Sequence, residues 1–163
     1  MTDVAKNVDK ADKRVKVRPV MMKDCAAHLD GAAELERLCF SSPWSRDSLK
    51  LLTNDGIGVG FVCELDGKIA AYGGMLVAVD EGQITNVAVH PDYRRRGLAS
   101  AILNSLMRYA KSCHADSVTL EVRASNSAAI SLYKKAGFSE AGRRRGFYTK
   151  PTEDAVIMTV RLK

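Results

Sequence analysis

Apolar residues recur at helical spacing in several segments of the chain. Residues 24–40 carry such a pattern, and residues 98–113 carry a denser apolar stripe. Spacings of three and four residues place these side chains on one helix face, which must pack against another element. Residues 127–136 form a shorter predicted helix that Gly137 ends, and Ser45 can cap a short helix running to residue 52.

Shorter apolar runs between turn residues predict the strands. Residues 61–65 and 69–79 flank Asp66-Gly67, a pair that favours a two-residue hairpin turn. The remaining predicted strands span residues 15–20, 84–89, 118–123, 138–141 and 155–161. The predicted helix between the strands at 84–89 and 118–123 makes that pair parallel. The order therefore predicts a mixed α/β domain around one central sheet, with antiparallel N-terminal strands, a βαβ crossover and flanking helices.

The length and composition are those of a single globular domain. The chain has 163 residues, of which 46% are hydrophobic and 27% charged. Residues 1–14 are polar, alternate in charge and lack periodicity, so we expect a flexible extension before a domain over 15–163. No apolar stretch approaches the ~20 residues that cross a bilayer, and the N-terminus lacks a signal-peptide core. Cytoplasmic residence without membrane association is the resulting expectation.

The four cysteines and three histidines show no spacing typical of a metal site. Each cysteine lies in an apolar segment, which indicates reduced, buried thiols rather than a zinc site. We therefore expect no metal cofactor.

The net charge of +6 is unevenly distributed along the chain. Residues 19–93 contain five basic and eleven acidic side chains, whereas residues 94–163 contain fourteen basic and five acidic ones. The acidic part suits a cationic amine and the basic part suits a polyanion. Nucleic acid also fits a basic surface, but the interleaved aromatic and basic residues of known nucleic-acid readers are missing, which argues against that partner.

A basic glycine-containing turn joins the strand at 84–89 to the helix at 98–113. Residues 94–97 read Arg-Arg-Arg-Gly. The first N–H groups of a helix have no intrahelical partner and carry the positive end of its dipole. Because Gly97 lets the main chain approach a ligand closely, the turn predicts an anion-binding cradle. Taken alone, a solvated arginine run at a helix start explains the motif equally well.

The spacing Arg94-x-x-Gly97-x-Ala99 resembles the Q/R-x-x-G-x-G/A loop of the GCN5-related N-acetyltransferases (GNAT), which holds the pyrophosphate of coenzyme A. Residues 120–126 (Leu-Glu-Val-Arg-Ala-Ser-Asn) and the segment 128–138 are similar to the later signature of the same family.

Two further segments point to one branch of that family. Phe40-x-x-Pro43-Trp44-Ser45 and residues 147–158 resemble the RimI-type enzymes, which acetylate the N-terminal amine of a small-subunit ribosomal protein. The likeness runs from about residue 15 to 160. This branch usually has two tyrosines where this chain has Phe147-Tyr148, which leaves its peptide selectivity open.

The resemblance implies a GNAT fold, acetyl-CoA as co-substrate and a set of binding residues. Main-chain groups of one strand would pair with the pantetheine arm and polarise the acetyl carbonyl. The implied acetyl-CoA contacts are Val87, Ala88, Val89, Arg94, Arg95, Arg96, Gly97, Leu98, Ala99, Ser100 and Asn126. The implied walls of the peptide site are Phe40, Pro43, Trp44 and Tyr148. From the residues alone, Asn126 is equally a helix N-cap and Trp44 equally a core anchor.

Glu121 and Tyr133 match the positions of the family's general base and general acid. A carboxylate at Glu121 would accept the amine proton directly or through water, whereas its plain alternatives are an ion pair with Arg123 or a strand glutamate with its hydrogen bonds satisfied. The Tyr133 phenol would give a proton or a hydrogen bond to the departing thiolate, and its alternative is a core tyrosine.

The resemblance therefore predicts an N-terminal protein acetyltransferase that transfers acetyl directly to an α-amine, such as that of the N-terminal alanine of a small-subunit ribosomal protein. Two alternatives remain at this point. The same fold can act on a lysine, a polyamine or another small amine, or the chain can be a non-catalytic acyl-CoA-binding protein.

Overall fold

A computed structural model describes residues 17–163, so the extension predicted at 1–14 lies outside the described residues. Seven strands form one sheet in the described part of the chain. They are β1 (Val20–Met21), β2 (Gly58–Leu65), β3 (Lys68–Ala78), β4 (Glu81–Val89), β5 (Ser117–Arg123), β6 (Ser139–Tyr148) and β7 (Glu153–Arg161). Their order across the sheet is β1-β2-β3-β4-β5-β7-β6.

Four α-helices flank this sheet in residues 17–163. They are α1 (Ala26–Cys39), α2 (Arg46–Leu49), α3 (Leu98–Ser112) and α4 (Ser127–Lys135), with 3₁₀ turns at Lys50–Thr53 and Pro91–Tyr93. The Ser45 hydroxyl accepts a hydrogen bond from the Ser48 N–H at 3.1 Å, so Ser45 caps α2 as predicted.

The sheet is mixed, which confirms the predicted fold class. Strands β2, β3 and β4 form an antiparallel meander, β5, β7 and β6 form a second antiparallel set, and β4 runs parallel to β5. Asp66 and Gly67 connect β2 to β3 with φ values of 53° and 73°. Positive φ at both positions is the geometry of the tight hairpin turn that the Asp-Gly pair predicts.

Besides β2 and β4, which begin three residues earlier than predicted, at Gly58 and Glu81, two strands differ from the prediction. The first was expected at 15–20, but within the described residues it comprises Val20–Met21, because Pro19 has no N–H to donate to the sheet. Strand β6 extends to Tyr148, where the prediction ended a strand at 141 and continued with a polar loop. An edge strand paired on one side can be almost entirely exposed, so β6 carries no apolar alternation that a sequence pattern would reveal.

The helices cover both faces of the sheet. The α1 side chains Leu29 and Leu35 are buried in one cluster with Tyr72 of β3. The α3 side chains Ile102 and Leu106 are buried in a second cluster on the other face. Helix α4 joins this second cluster through Tyr133, which therefore lies on the α3 side.

Strands β4 and β5 pair over a short stretch and then separate. Glu81–Gln83 lie opposite Ser117–Thr119, and no pairing between the two strands follows from Ile84 onward. The second half of β4 therefore keeps main-chain groups unpaired on the side that faces β5. This opening positions the candidate site.

Candidate active site

Helix α3 begins at the predicted cradle. Gly97 is its N-cap residue with a φ of 78°, and no side chain caps the helix. No acidic residue lies in its first turn, so the N–H groups at Leu98, Ala99 and Ser100 present an uncompensated positive dipole end. This arrangement fits a pyrophosphate.

The three arginines of the turn play different structural roles. The Arg94 Nε donates to the Val89 carbonyl at 3.3 Å, which holds this side chain against the end of β4. The Arg96 guanidinium lies 5.1 Å from the centre of the Tyr93 ring, a cation–π contact. Arg95 is exposed. All three arginines lie within four residues before the start of α3 and so add positive charge near it.

The free half of β4 includes Val87, Ala88 and Val89, the residues predicted to pair with the pantetheine arm. They pair with β3 on one side, at Gly73, Tyr72 and Ala71. Since β5 has diverged at this level, their other main-chain groups fit a ligand that adds to the edge as an extra strand.

Glu121 lies on β5 with its side chain on the face opposite the buried Leu120 and Val122. Its carboxylate is 16% exposed and forms an ion pair with Arg144 of β6 at 3.1 Å. The alternative pairing of Glu121 with Arg123 is wrong, because Arg123 faces Glu153 instead, at 3.4 Å. Arg144 is 59% exposed, so its guanidinium can move away from Glu121 without leaving water.

The Tyr148 phenol lies within electrostatic reach of this carboxylate, and Tyr148 in turn lies near Tyr133. Burial and then the negative charge of Glu121 raise the pKa of Tyr148 to about 12. Burial and then Tyr148 raise the pKa of Tyr133 to about 12. Tyr148 is therefore the neighbour that Glu121 and Tyr133 share, while those two side chains lie on opposite faces of the sheet. Both phenols stay protonated over the whole neutral range.

Tyr133 is a buried residue that packs edge-to-face on Phe138, with ring centres 5.8 Å apart. The core contact predicted as its plain alternative is therefore present. Among the described residues no hydrogen bond holds the Tyr133 hydroxyl. In the same part of the chain, the fully enclosed hydroxyl without a partner is that of Thr85, so the Tyr133 hydroxyl is not fully enclosed. The hydroxyl is thus available to a ligand.

Arg123 joins the two predicted walls of the peptide site. Its Nη2 donates to the Ser41 Oγ and to the Thr149 carbonyl, each at 3.0 Å. Its guanidinium also lies 4.6 Å from the centre of the Tyr148 ring. The loop 40–45 and the segment that begins at Tyr148 are therefore held against each other beside Glu121.

The loop 40–45 carries Phe40, Pro43 and Trp44. Phe40 and Trp44 are half-buried and pack against the core under α1, whereas Pro43 is exposed. Trp44 is thus partly the core anchor that the sequence allowed, with the rest of its surface open. Next to Phe40, the Cys39 Sγ lies 3.5 Å from the Val89 carbonyl and in contact with Arg94, so the loop starts beside the free half of β4.

Asn126 caps α4. Its side-chain oxygen accepts a hydrogen bond from the Ala129 N–H at 3.2 Å. This is the N-cap role that the residue pattern allowed. Contact with acetyl-CoA through the remaining amide group stays a prediction.

Glu36 is a residue of this region that the sequence did not reveal. It lies on the buried face of α1 and is fully enclosed. Its carboxylate accepts hydrogen bonds from the Tyr72 hydroxyl, from the Asn86 Nδ2 at 2.6 Å and from the Trp44 N–H at 3.0 Å. The available signal was an acidic side chain within the apolar stripe of a predicted helix.

Among residues 17–163, no group of three or more His, Cys, Asp or Glu side chains is arranged to hold a metal ion. No helix of the described part combines the length and the apolar character needed to cross a bilayer.

Comparison with known proteins agrees with this geometry. Residues 29–138 match the profile of the family described as Acetyltransferase (GNAT) family. A protein of Escherichia coli strain K12 named ribosomal protein bS18-alanine N-acetyltransferase is 39% identical over 135 residues, which cover 81% of this chain and 90% of that protein.

Solved structures show the same architecture. The crystal structure of the ribosomal-protein-S18-alanine N-acetyltransferase from Escherichia coli is similar with a TM-score of 0.78 and 35% identity, covering 89% of this chain and 94% of that one. Arabidopsis thaliana NAA60 in complex with acetyl-CoA has a TM-score of 0.80 over 90% of this chain and 99% of its own, and at 19% identity it shows the fold alone. With the family match spanning more than half of its residues, the chain belongs to the acetyltransferase (GNAT) family of N-acetyltransferases.

Proposed function

We propose that this enzyme transfers the acetyl group of acetyl-CoA to the α-amine of a protein N-terminus, specifically the N-terminal alanine of ribosomal protein bS18. The proposal is carried by one juxtaposition. The carboxylate of Glu121 lies on β5 beyond the point where β5 leaves β4, near the Tyr148 phenol and the loop 40–45, and the Tyr133 phenol lies near Tyr148. The names of the relatives supply the substrate class. A ribosomal substrate also implies a cytoplasmic enzyme.

Acetyl-CoA supplies the acetyl group as a thioester, which reacts directly with an amine. The first turn of α3 and the neighbouring arginines would hold its pyrophosphate, and the free edge of β4 would hold its pantetheine arm. An N–H donor on this edge would stabilise the negative charge that develops on the carbonyl oxygen, which is usually the largest catalytic contribution.

Glu121 would remove the proton from the incoming amine. A peptide α-amine has a pKa of about 7.7–8.0, so roughly a tenth of it is already neutral at pH 7. A lysine amine, at about 10.4, needs far more help. The Glu121 carboxylate has one ion-pair partner, the exposed Arg144, and a base of this kind suits the α-amine, which loses its proton more readily than a lysine amine.

Tyr133 would stabilise the departing thiolate. A thiol ordinarily has a pKa of about 8.5, whereas the pKa of Tyr133 is raised to about 12. The phenol is therefore the weaker acid, so it would donate a hydrogen bond to the sulfur rather than its proton. The thiolate would take up the proton that the amine nitrogen loses as the C–N bond forms and the C–S bond breaks. The same elevated pKa guarantees that this donor is present at every working pH.

A three-substrate assay tests the proposal. The first substrate is a synthetic peptide with the bS18 N-terminal sequence beginning with alanine. The second is the same peptide blocked at its α-amine and carrying an internal lysine, and the third is spermidine. Mass spectrometry should show acetylation of the first substrate only. Preferential modification of the blocked peptide or of spermidine would favour the lysine or polyamine alternative, and no turnover on any amine would favour an acyl-CoA-binding protein.

Replacing Glu121 by Gln should lower kcat about tenfold at pH 7, because only the spontaneously neutral fraction of the amine can then react. The rate should approach that of the wild type near pH 9, so the pH–rate profile moves upward. The measurement is kcat from pH 6 to 9.5 with the bS18 peptide. Glu140→Gln is the matched control, since Glu140 pairs with Arg143 on the exposed edge strand. A Glu121→Gln profile that coincides with the wild type would eliminate Glu121 as the base.

A further inference from the structure

Glu36 is an acidic side chain without a counter-charge. It is completely buried, and none of the ion pairs formed within residues 17–163 includes it. Removing a carboxylate from water is costly unless hydrogen bonds replace the solvent. The burial raises the pKa of Glu36, and its three donors oppose that rise. A leucine at this position would leave all three donors without an acceptor, so the carboxylate organises polar groups that an apolar side chain could not.

The three donors come from three different parts of the site. Tyr72 lies in the middle of β3, and Asn86 lies on β4 directly before the free edge. The third donor is the main-chain N–H of Trp44, in the loop 40–45. Glu36 thus connects the proposed peptide wall to the strand on which the acetyl group would be held.

Of the three hydrogen bonds to Glu36, the one from Trp44 comes from a loop, whereas Tyr72 and Asn86 lie on strands. Ser41, Ser42 and Pro43 are exposed, and the loop contacts the rest of the protein at its ends, through Arg123 at Ser41 and through the Ser45 cap. Between Ser41 and Ser45, the Glu36 Oε2 accepts a hydrogen bond from the Trp44 N–H and so fixes the main chain of the loop. The half-buried indole ring then packs on the same core.

We propose that Glu36 is a positioning residue for the peptide substrate, which fixes the loop 40–45 at a set distance from β4 and so determines how tightly a peptide N-terminus binds. The proposal rests on the peptide N-terminal acetyltransferase activity proposed above. A purely structural carboxylate would affect stability and both substrates alike, whereas a positioning role affects the peptide alone.

The test is steady-state kinetics of Glu36→Met with the bS18 peptide and acetyl-CoA varied separately. Methionine has a similar size but cannot accept the Trp44 N–H, so the loop loses its anchor. We expect the KM for the peptide to rise about tenfold, as the loss of a hydrogen bond to a charged group predicts. The KM for acetyl-CoA should stay within twofold, because Glu36 does not touch the cradle at Gly97 and the main chain of Asn86 remains paired with Gly74 of β3 when its side chain loses Glu36.

Two variants serve as controls. In Glu36→Gln the amide oxygen of the glutamine still accepts the Trp44 N–H. The glutamine NH₂ group then faces Asn86, whose amide can rotate to present its oxygen. The peptide KM should therefore stay within threefold of the wild type. Tyr72→Phe removes a donor from the same carboxylate without touching the loop, and it should likewise leave the peptide KM within threefold. Trp44 is the sole tryptophan, so its fluorescence reports the loop directly, and we expect a red shift in Glu36→Met only.

The outcomes separate the possibilities. An unchanged peptide KM in folded Glu36→Met, a parallel rise in both KM values, or an equal rise in Tyr72→Phe would overturn the role of Glu36. If Glu36→Met does not fold, amide exchange of the wild-type Trp44 N–H decides: exchange slowed at least about a hundredfold supports the anchor, and exchange at the rate of an open loop overturns it. A wild-type protein that acetylates no peptide at all instead refutes the proposed function.

Discussion

Replacing Tyr133 by Phe is expected to lower kcat about a hundredfold while leaving the Kd for acetyl-CoA within threefold. The size of the loss follows from the removal of one hydrogen bond that is needed only as charge develops on sulfur. Phenylalanine keeps the buried ring and its edge-to-face contact with Phe138, so the fold should be retained. Because no hydrogen bond within the described residues depends on the hydroxyl, the variant should unfold near the wild-type temperature.

The pH dependence distinguishes this variant from Glu121→Gln. The pKa of Tyr133 is raised to about 12, so the phenol is fully protonated below pH 10 and its loss should lower the rate by the same factor at every pH from 6 to 9. Removal of the base in Glu121→Gln should instead lower kcat most at low pH. The measurement is kcat over this range, together with calorimetric titration of acetyl-CoA.

Tyr109→Phe is the matched control for that experiment. Tyr109 lies on α3 with a pKa also raised by burial, but no contact joins it to Glu121 or Tyr148. It should retain wild-type turnover. Wild-type turnover in Tyr133→Phe would end the assignment of this phenol to the thiolate, and a loss confined to one end of the pH range would assign it another role.

The sequence predicted well those elements whose residue pattern is compatible with one local structure. Helix α3 carries an apolar stripe that must face the sheet, and its flanking apolar strands then become parallel neighbours. Asp66-Gly67 tolerates the positive φ values that a two-residue hairpin turn requires. The catalytic candidates Glu121 and Tyr133 came from the family resemblance, because each has a plain structural role that residue patterns cannot separate from a chemical one.

What the sequence missed depends on contacts between distant segments. Strand β6 is exposed along most of its length, and its place at the sheet edge is set by pairing with β7 rather than by its own composition. That pairing brings Arg144 to Glu121 and leaves Arg123 for Glu153, which reverses the expected partner. The partners of Glu36 lie between 8 and 50 residues away along the chain, so no local pattern could indicate why an acidic residue is buried there.

Replacing Gly97 by Glu should raise the Kd for acetyl-CoA at least about a thousandfold, beyond the range of calorimetric titration. A carboxylate at the first residue before α3 would oppose the positive dipole end and repel the pyrophosphate, each charge pair costing about 1 kcal/mol or more near the surface. The side chain would also occupy the space that the absence of a Cβ leaves for the ligand. Nothing lies within 4 Å of a Cβ built at Gly97, so a larger residue has room in the folded protein itself.

A matched variant separates this effect from backbone strain. Gly67 has a φ of 73° against 78° at Gly97, and a Cβ there also meets nothing within 4 Å, but it lies in the turn between β2 and β3. Gly67→Glu therefore carries the same charge and the same cost of a left-handed conformation, about 1–2 kcal/mol. Both variants should lose similar thermal stability, while Gly67→Glu binds acetyl-CoA like the wild type. Equal affinity in the two variants would show that the pyrophosphate is held elsewhere, since the start of α3 is the one feature that distinguishes them.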